Sequence, residues 1–276
     1  MLKSLQKAFK VKEVRDRLLY TFMMLVVIRI GCCLPIPGVD PSYLHDFFSN
    51  LQSSGMGFFN AITGGSFSSM SIFALSITPY ITSSIIMQLL TIAIPKLEEM
   101  QKDGEDGRKK IAEYTRYLTV GLALFESCAM AVGLGGKGLL LEDHRNVWGY
   151  LTVVAAMTAG SALLMWIGER ITDNGVGNGI SIVLLINIVS GTPQDMITLY
   201  ERFMAGKSVA VATVACIIVL AIIIAIVVFV LVLNDAERRI PVQYSKKMQG
   251  RRMIGGQSTY IPLKVNTANV IPVIFA

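Results

Sequence analysis

The sequence carries little charge for its length. Asp, Glu, Lys and Arg make up only 16% of its 276 residues, whereas a soluble domain usually carries about 25%. Hydrophobic residues make up 53%, and the mean hydropathy is +0.57. This balance argues against an ordinary soluble domain and favours a protein that lies within a membrane.

Residues that bind metals or perform catalysis are also scarce. The two histidines, His45 and His144, lie in separate loops, and the four cysteines lie in apolar stretches without a CxxC pair. Neither a disulfide framework nor a zinc site is therefore indicated. The sequence contains no HExxH zinc-protease motif and no GxSxG nucleophile elbow. We predict no catalytic residues, no metal and no cofactor. The cysteines are Cys32, Cys33, Cys128 and Cys216.

A cleavable signal peptide is missing as well. The first apolar block follows 17 polar to basic residues, and no small-x-small cleavage site comes after it. We therefore expect the first apolar block to remain in the protein as a membrane anchor.

Long apolar runs are abundant. Residues 209–233 form a run of 25 without a single charge, and a helix needs about 20 apolar residues to cross a bilayer. The pattern predicts an all-α, polytopic membrane helix bundle with six spans and the start of a seventh near residue 267. The fifth span has a short apolar run that could be re-entrant. The six spans lie at about 18–34, 71–94, 114–134, 147–168, 176–192 and 209–233.

Basic residues are distributed unevenly between the two sides of this bundle. The N-terminus and the second, fourth and sixth connections hold 20 Lys and Arg, and the alternate connections hold four. Basic connections stay in the cytoplasm, so we predict a cytoplasmic N-terminus. Two charged residues lie inside predicted spans. Arg29 either snorkels to the interface or has a specific role, and Glu126 is expected to face the bundle interior or a wet cavity.

The stretch before the second long span has an unusual composition. Residues 55–70 are apolar but contain four glycines and many Ser and Thr residues, which disfavour a helix. A full span then follows, to about Ile94. The pattern predicts a segment that inserts halfway into the bundle and is followed by a true membrane helix.

Six stretches of the sequence resemble the SecY/Sec61 alpha family of protein-conducting channels. They run in order along the chain: RIGCCLPIPGVD at 29–40, SIFALSITPYITSSIIMQLL at 71–90, GEDGRKKIAEYTRY at 104–117, MWIGERITDNGVGNGISI at 165–182, QGRRMIGGQSTYIPLKVN at 249–266 and VIPVIFA at 270–276.

The resemblance implies ten helices in two inverted halves with a pore between them. Residues 1–192 would form the N-terminal half, with helices 1–5 and a plug at about 56–70. Residues 193–276 would form helix 6, a basic cytoplasmic loop at 234–264 and a truncated helix 7. The implied function is passage of unfolded secretory proteins across the bacterial plasma membrane, and release of membrane-protein helices into it. Plug residues would include Phe58, Phe59, Asn60, Gly64, Gly65 and Ser66.

The resemblance also implies an apolar ring at the waist of the pore. Residues four apart share one face of a helix, so a pair on one helix presents two stacked side chains, and a narrow apolar ring can exclude water and ions. From the residues alone, ordinary packing is the better explanation of such pairs, and only the family resemblance favours a ring. Leucine at 184 departs from the isoleucine usual in the family. The implied ring residues are Ile77, Ile81, Ile180, Leu184 and Ile274.

The basic loop at 234–264 has seven Lys and Arg against two acidic residues. It fits contact with anionic lipid, but its length favours a docking role. The resemblance implies docking of the ribosome, through its RNA and proteins, and of the SecA motor ATPase. It further implies SecE and SecG subunits, signal peptides, nascent chains and membrane lipid as partners. The docking residues would be Arg238, Arg239, Lys246, Lys247, Arg251 and Arg252.

Two further expectations follow. The alternative function is a secondary transporter with broken helices, which would need polar groups converging near the midplane. The chain also stops at Ala276, about 15 Å into the predicted seventh span, so we expect it to lack helices needed for a sealed pore and not to form one alone.

Overall fold

The computed structural model describes residues 11–40, 60, 62–135, 138, 140–141, 145–206, 209–242, 247–249, 252–254 and 259–266. The chain divides into two compact units, Met1–Asp195 and Met196–Ala276. The described residues form seven α-helices: α1 (Lys12–Cys33), α2 (Thr78–Ala93), α3 (Pro95–Lys102), α4 (Glu105–Leu134), α5 (Val147–Asn174), α6 (Gly179–Phe203) and α7 (Val209–Asp235). The predicted helical fold is confirmed.

Helix α2 begins later than the sequence predicts. The expected span started at residue 71, but residues 71–77 form tight turns and the helix starts at Thr78. Proline at 79 occupies the first turn of α2, where its missing N–H is tolerated. Ser76, with φ of 53°, has a left-handed backbone that breaks any helix before it. The prediction was wrong here because a backbone reversal at a serine leaves no sequence signal.

The other helix ends follow from prolines and polar residues. Helix α2 ends at Ala93 and α3 turns away from it by 102°, with Pro95 at the start of α3. Helices α1, α4, α5 and α7 extend a few residues beyond the predicted spans into charged sequence. Helix α6 runs through Pro193 to Phe203, so the predicted end at 192 was wrong. One proline removes a single backbone donor, which this helix tolerates.

Three helices are long and apolar enough to cross a membrane among the described residues. They are α5, α6 and residues 211–235 of α7, and the bent α2–α3 pair would be a fourth. The spans expected at α1 and α4 form helices of 22 and 30 residues, but they remain predictions as membrane crossings.

Helix α5 lies in the hydrophobic core of the first unit and contributes side chains to both of its buried clusters. Its buried residues Val153 and Met157 pack with the segment around Met70, and Leu164, Ile167 and Ile171 pack with α1, α2 and α6. Small residues allow this close packing. A Cβ atom at Gly160 would collide with the backbone carbonyl of Ile72, so the turns before α2 lie directly against α5.

We expect Gly160→Ala to destabilise the protein by about 1–3 kcal/mol, because the added methyl must displace backbone rather than a side chain. Gly121 in α4 is the matched control, since a Cβ there meets nothing within 4 Å. Gly121→Ala should be neutral or stabilising by up to about 1 kcal/mol through helix propensity. Thermal unfolding of the purified protein in detergent measures both. Equal Tm values for the two variants would contradict the close packing of α5.

The second unit contains four strands that the sequence analysis did not predict. Strands β1 (Glu237–Val242) and β4 (Thr259–Lys264) pair antiparallel, and so do β2 (Lys247–Gln249) and β3 (Arg252–Ile254). Prolines at 241 and 262 lie within β1 and β4, and proline usually argues against a strand. A two-stranded ribbon consists entirely of edge strands, where proline is tolerated, and both ribbons lie within the predicted connection at 234–264.

Candidate functional site

The four described residues of the predicted ring lie in one hydrophobic cluster. Ile77 precedes α2 and Ile81 lies in its first turn, while Ile180 and Leu184 lie in the first turns of α6. Ile77 is 0% exposed, and the other three are half-buried. The fifth predicted ring residue, Ile274, lies outside the described residues. The structure therefore gathers apolar side chains from two helices that are far apart in sequence.

Glycines in α5 and α6 bring this cluster together. A Cβ atom at Gly168 of α5 would lie 3.5 Å from the Cδ1 of Ile77 and 3.5 Å from the Cγ1 of Ile180. The two isoleucines thus meet over one glycine. A Cβ atom at Gly179 would collide with the carbonyl of Gly168, so the start of α6 lies against α5 at the same level.

The segment before α2 is folded into a chain of tight turns. Asn60 organises its start: its carbonyl accepts hydrogen bonds from the Gly65 N–H at 3.0 Å and the Thr63 hydroxyl at 3.0 Å, and its Oδ1 accepts one from the Ser68 N–H at 3.1 Å. Gly64 and Gly65 have φ of 67° and 81°, which glycine adopts without strain. We call residues 60 and 62–70 the seated segment, because it lies against helices on two sides.

The chain after α1 holds the end of the seated segment by backbone hydrogen bonds. The Ile36 N–H donates to the Met70 carbonyl and the Ile72 N–H to the Leu34 carbonyl, both at 3.0 Å. Gly31 of α1 gives space for the Phe73 ring, which a Cβ atom there would overlap. The buried members of this stretch include Thr63, Ser66, Phe67 and Met70. Of the predicted plug residues, Asn60, Gly64, Gly65 and Ser66 belong to the seated segment, and Phe58 and Phe59 lie outside the described residues.

A buried polar connection lies beside the predicted ring residues. The Asn187 side-chain amide of α6 donates to the Ser76 hydroxyl at 3.0 Å, and the Ser161 hydroxyl of α5 lies 3.4 Å from the Ser76 carbonyl. Asn187 is buried, and its Oδ1 has no hydrogen-bond partner among the described residues. The sequence analysis missed this connection, although one asparagine inside the apolar run 180–189 was the signal that could have found it. It joins α5 and α6 to the turn that starts α2.

The predicted docking residues that the structure describes lie on the two ribbons. Arg238 and Arg239 are exposed neighbours on β1, so they face opposite sides of the ribbon. The Arg239 guanidinium lies 4.7 Å from the centre of the Tyr260 ring, a cation–π contact. Lys247 and Arg252 belong to β2 and β3, and each is paired with a residue of the opposite strand. Lys246 and Arg251 lie outside the described residues.

Comparisons with known proteins agree on one family. A family model described as SecY matches residues 71–276. A relative from Streptomyces scabiei named "Protein translocase subunit SecY" is 44% identical over 288 residues, which cover 100% of this chain and 64% of the relative. The protein of the same name from Escherichia coli strain K12 is 43% identical over 269 residues, which cover 96% of this chain and 59% of the relative. The chain therefore spans less than two thirds of the length of these relatives.

A solved structure supports the fold. It is described as "The structure of a protein conducting channel", and it matches 94% of this chain and 55% of its own chain at 21% identity, with a TM-score of 0.52. At this identity the match establishes the arrangement of helices and nothing finer.

Proposed function

Because the chain belongs to the SecY family, we propose that it forms part of a channel for unfolded secretory proteins that also releases membrane-protein helices into the lipid. The chain is a multi-pass membrane protein, and we propose the bacterial plasma membrane as its location because its relatives are bacterial. The observation that carries the proposal is the meeting of Ile77, Ile81, Ile180 and Leu184 in one apolar cluster.

The proposed mechanism uses exclusion of water. Apolar side chains around a narrow waist give water and ions no hydrogen bonds, so the resting channel stays dry. The same side chains give a passing polypeptide no polar group to bind, so chains of any sequence slide through. The seated segment would act as the plug, and its compact turns and few helical hydrogen bonds suit an element that leaves and returns. A secondary transporter is not supported by the comparisons.

The partners of this channel are proposed from the charge and exposure of the second unit. Arg238 and Arg239 are exposed and can bind RNA phosphates or acidic protein surfaces. We therefore propose that the ribbons dock the ribosome and the SecA motor ATPase. SecE and SecG subunits complete the proposed complex, and signal peptides and nascent chains are its cargo.

Orientation can be tested directly. The proposed topology puts the N-terminus, α3 and the ribbons in the cytoplasm, because basic connections stay inside. The experiment uses cells that carry the protein without its native cysteines. A single cysteine that replaces Lys102 or Ile261 should react with an impermeant maleimide only after the membrane is opened. A cysteine at Arg202 or Leu141 should react in intact cells. All four positions are exposed, and labelling of Ile261→Cys from outside would reverse the topology.

The proposed function itself is tested by secretion. A full-length channel, meaning a protein of the relatives' length that contains residues 1–276, should restore export of a secretory precursor in cells depleted of their own channel. Failure of a stably accumulated full-length channel to restore export would overturn the proposal.

A further inference from the structure

Arg29 lies in the apolar part of α1 and has no acidic partner among the described residues. The groove around it is lined by Phe22, Val26, Ile30 and Ile186, and its side chain is half-buried. An ionised group in such surroundings is costly unless polar groups surround it. The polar groups that contact the Arg29 guanidinium therefore account for its position in this groove.

The guanidinium contacts two elements that lie far apart in the sequence. Its Nη1 donates to the Ser190 hydroxyl of α6 at 2.8 Å and, in a longer hydrogen bond of 3.5 Å, to the Gly64 carbonyl of the seated segment. The Ser190 hydroxyl in turn donates to the Asn187 carbonyl at 2.6 Å. One charge on α1 thus joins α6 and the seated segment.

The seated segment touches α6 at the same place. A Cβ atom at Gly64 would lie 3.0 Å from both the Cα and the carbonyl oxygen of Asn187, which is closer than side chains normally approach backbone. Gly64 also has a φ of 67°. The Gly64 carbonyl is therefore held between α6 and the guanidinium, and the segment cannot leave without separating both contacts.

We propose that Arg29 is a latch that holds the seated segment in its closed position. When the segment leaves, the guanidinium loses the Gly64 carbonyl and must find water in a groove that is apolar. This loss favours return of the segment. The inference rests on the proposed function in that it assigns the segment the role of a plug, and Arg29 is a positioning residue that acts through it.

The test measures how often the segment leaves its seat. Ser66 is 1% exposed, and cysteine is close to serine in size, so Ser66→Cys should fit. In a full-length channel without other cysteines, the rate at which a small water-soluble maleimide labels Ser66→Cys reports the unseated population. Arg29→Met should raise this rate about fivefold, which corresponds to about 1 kcal/mol, the net contribution of a typical hydrogen bond. Arg29→Lys should restore most of the protection, and Ser190→Ala should raise the rate less.

Two matched controls separate the latch from general damage. Arg17 of α1 also donates to a glycine carbonyl, that of Gly175, at 3.5 Å, but far along the helix from the segment, so Arg17→Met should leave the rate unchanged. Gly64→Ala and Gly65→Ala share a strained positive φ, but a Cβ at Gly65 meets nothing within 4 Å. Gly64→Ala should therefore raise the rate more than Gly65→Ala.

The outcomes distinguish failure of the latch proposal from failure of the proposed channel function. A raised rate in Gly64→Ala with an unchanged rate in Arg29→Met would overturn the latch while leaving the plug in place. An equal rise in Arg17→Met and Arg29→Met would also overturn it, because the effect would then come from α1 in general. The proposed function fails separately, if the parent full-length channel does not restore export. Because Arg29→Met removes the latch, a channel with this substitution should export a precursor with a weakened signal peptide better than the parent does.

Discussion

Replacing Ile81 or Ile180 with Asn in the full-length channel should make the resting channel conduct ions. An amide at the waist binds water with a free energy of roughly 2 kcal/mol or more relative to an apolar environment. Because each 1.4 kcal/mol removed from a barrier raises a rate about tenfold, the ion conductance should rise by about tenfold or more. Single-channel recordings in a planar bilayer measure this conductance. Selection of signal peptides should become less strict in the same variants.

Helix α6 offers a matched control for this experiment. The hydrophobic cluster that holds the predicted ring residues, called here the ring cluster, includes Leu184, which is half-buried. Leu185, the next residue, is 61% exposed and is not part of the ring cluster. Leu184→Asn should conduct and Leu185→Asn should not, although both introduce the same amide into the same turn. Equal conductance in the two variants, or no conductance in Ile81→Asn and Ile180→Asn, would argue that these residues only pack.

Reversing Arg238 and Arg239 to Glu should weaken ribosome binding. Each phosphate contact contributes about −0.9 to the slope of log affinity against log salt, so loss of two contacts should flatten the slope by about 2. Between about 50 and 200 mM salt, the parent should therefore lose roughly tenfold more affinity than the double variant. Reversal of Arg251 and Arg252, the neighbouring predicted pair, should act in the same direction. Sedimentation of ribosomes with reconstituted channels at several salt concentrations measures both quantities.

The control for docking is Arg202, an exposed residue of α6 that the charge pattern predicts on the opposite side of the membrane. Arg202→Glu should leave ribosome binding unchanged. If the Arg238 and Arg239 double variant bound ribosomes normally but lost binding to vesicles of anionic lipid, the ribbons would contact lipid rather than the ribosome.

The sequence predicts the helical fold well where one physical signal dominates. Helix α7 follows directly from 25 apolar residues without a charge, because only a membrane accepts such a run. The start of α2 was predicted seven residues early, since the turn that delays it depends on the left-handed backbone of Ser76 and on packing against Gly160 of α5. Neither can be read from local composition.

The strands could not be predicted because their pairing is not local. Strands β1 and β4 are separated by the second ribbon, and each contains a proline and at least one charged residue. Such sequences become strands only when their partner is present.

The candidate site also combines residues that the sequence could indicate with contacts that it could not. Spacing alone could not distinguish the proposed ring residues from ordinary packing, and only the family resemblance selected them from many similar pairs. The Arg29–Ser190 and Asn187–Ser76 hydrogen bonds join residues more than 100 positions apart. A sequence without an alignment gives no indication of such pairs, so the polar connection and the partners of Arg29 emerge only from the structure.

The most direct test of the channel is to ask whether a moving polypeptide touches the ring. A photoreactive amino acid at Ile81, Leu184 or Leu185 of the full-length channel is activated while a secretory chain is stalled in transit. We expect strong crosslinks from 81 and 184 and weak ones from 185, because only the first two belong to the ring cluster. Absence of crosslinks from 81 and 184, or equal crosslinks from all three positions, would contradict a translocation path through this site.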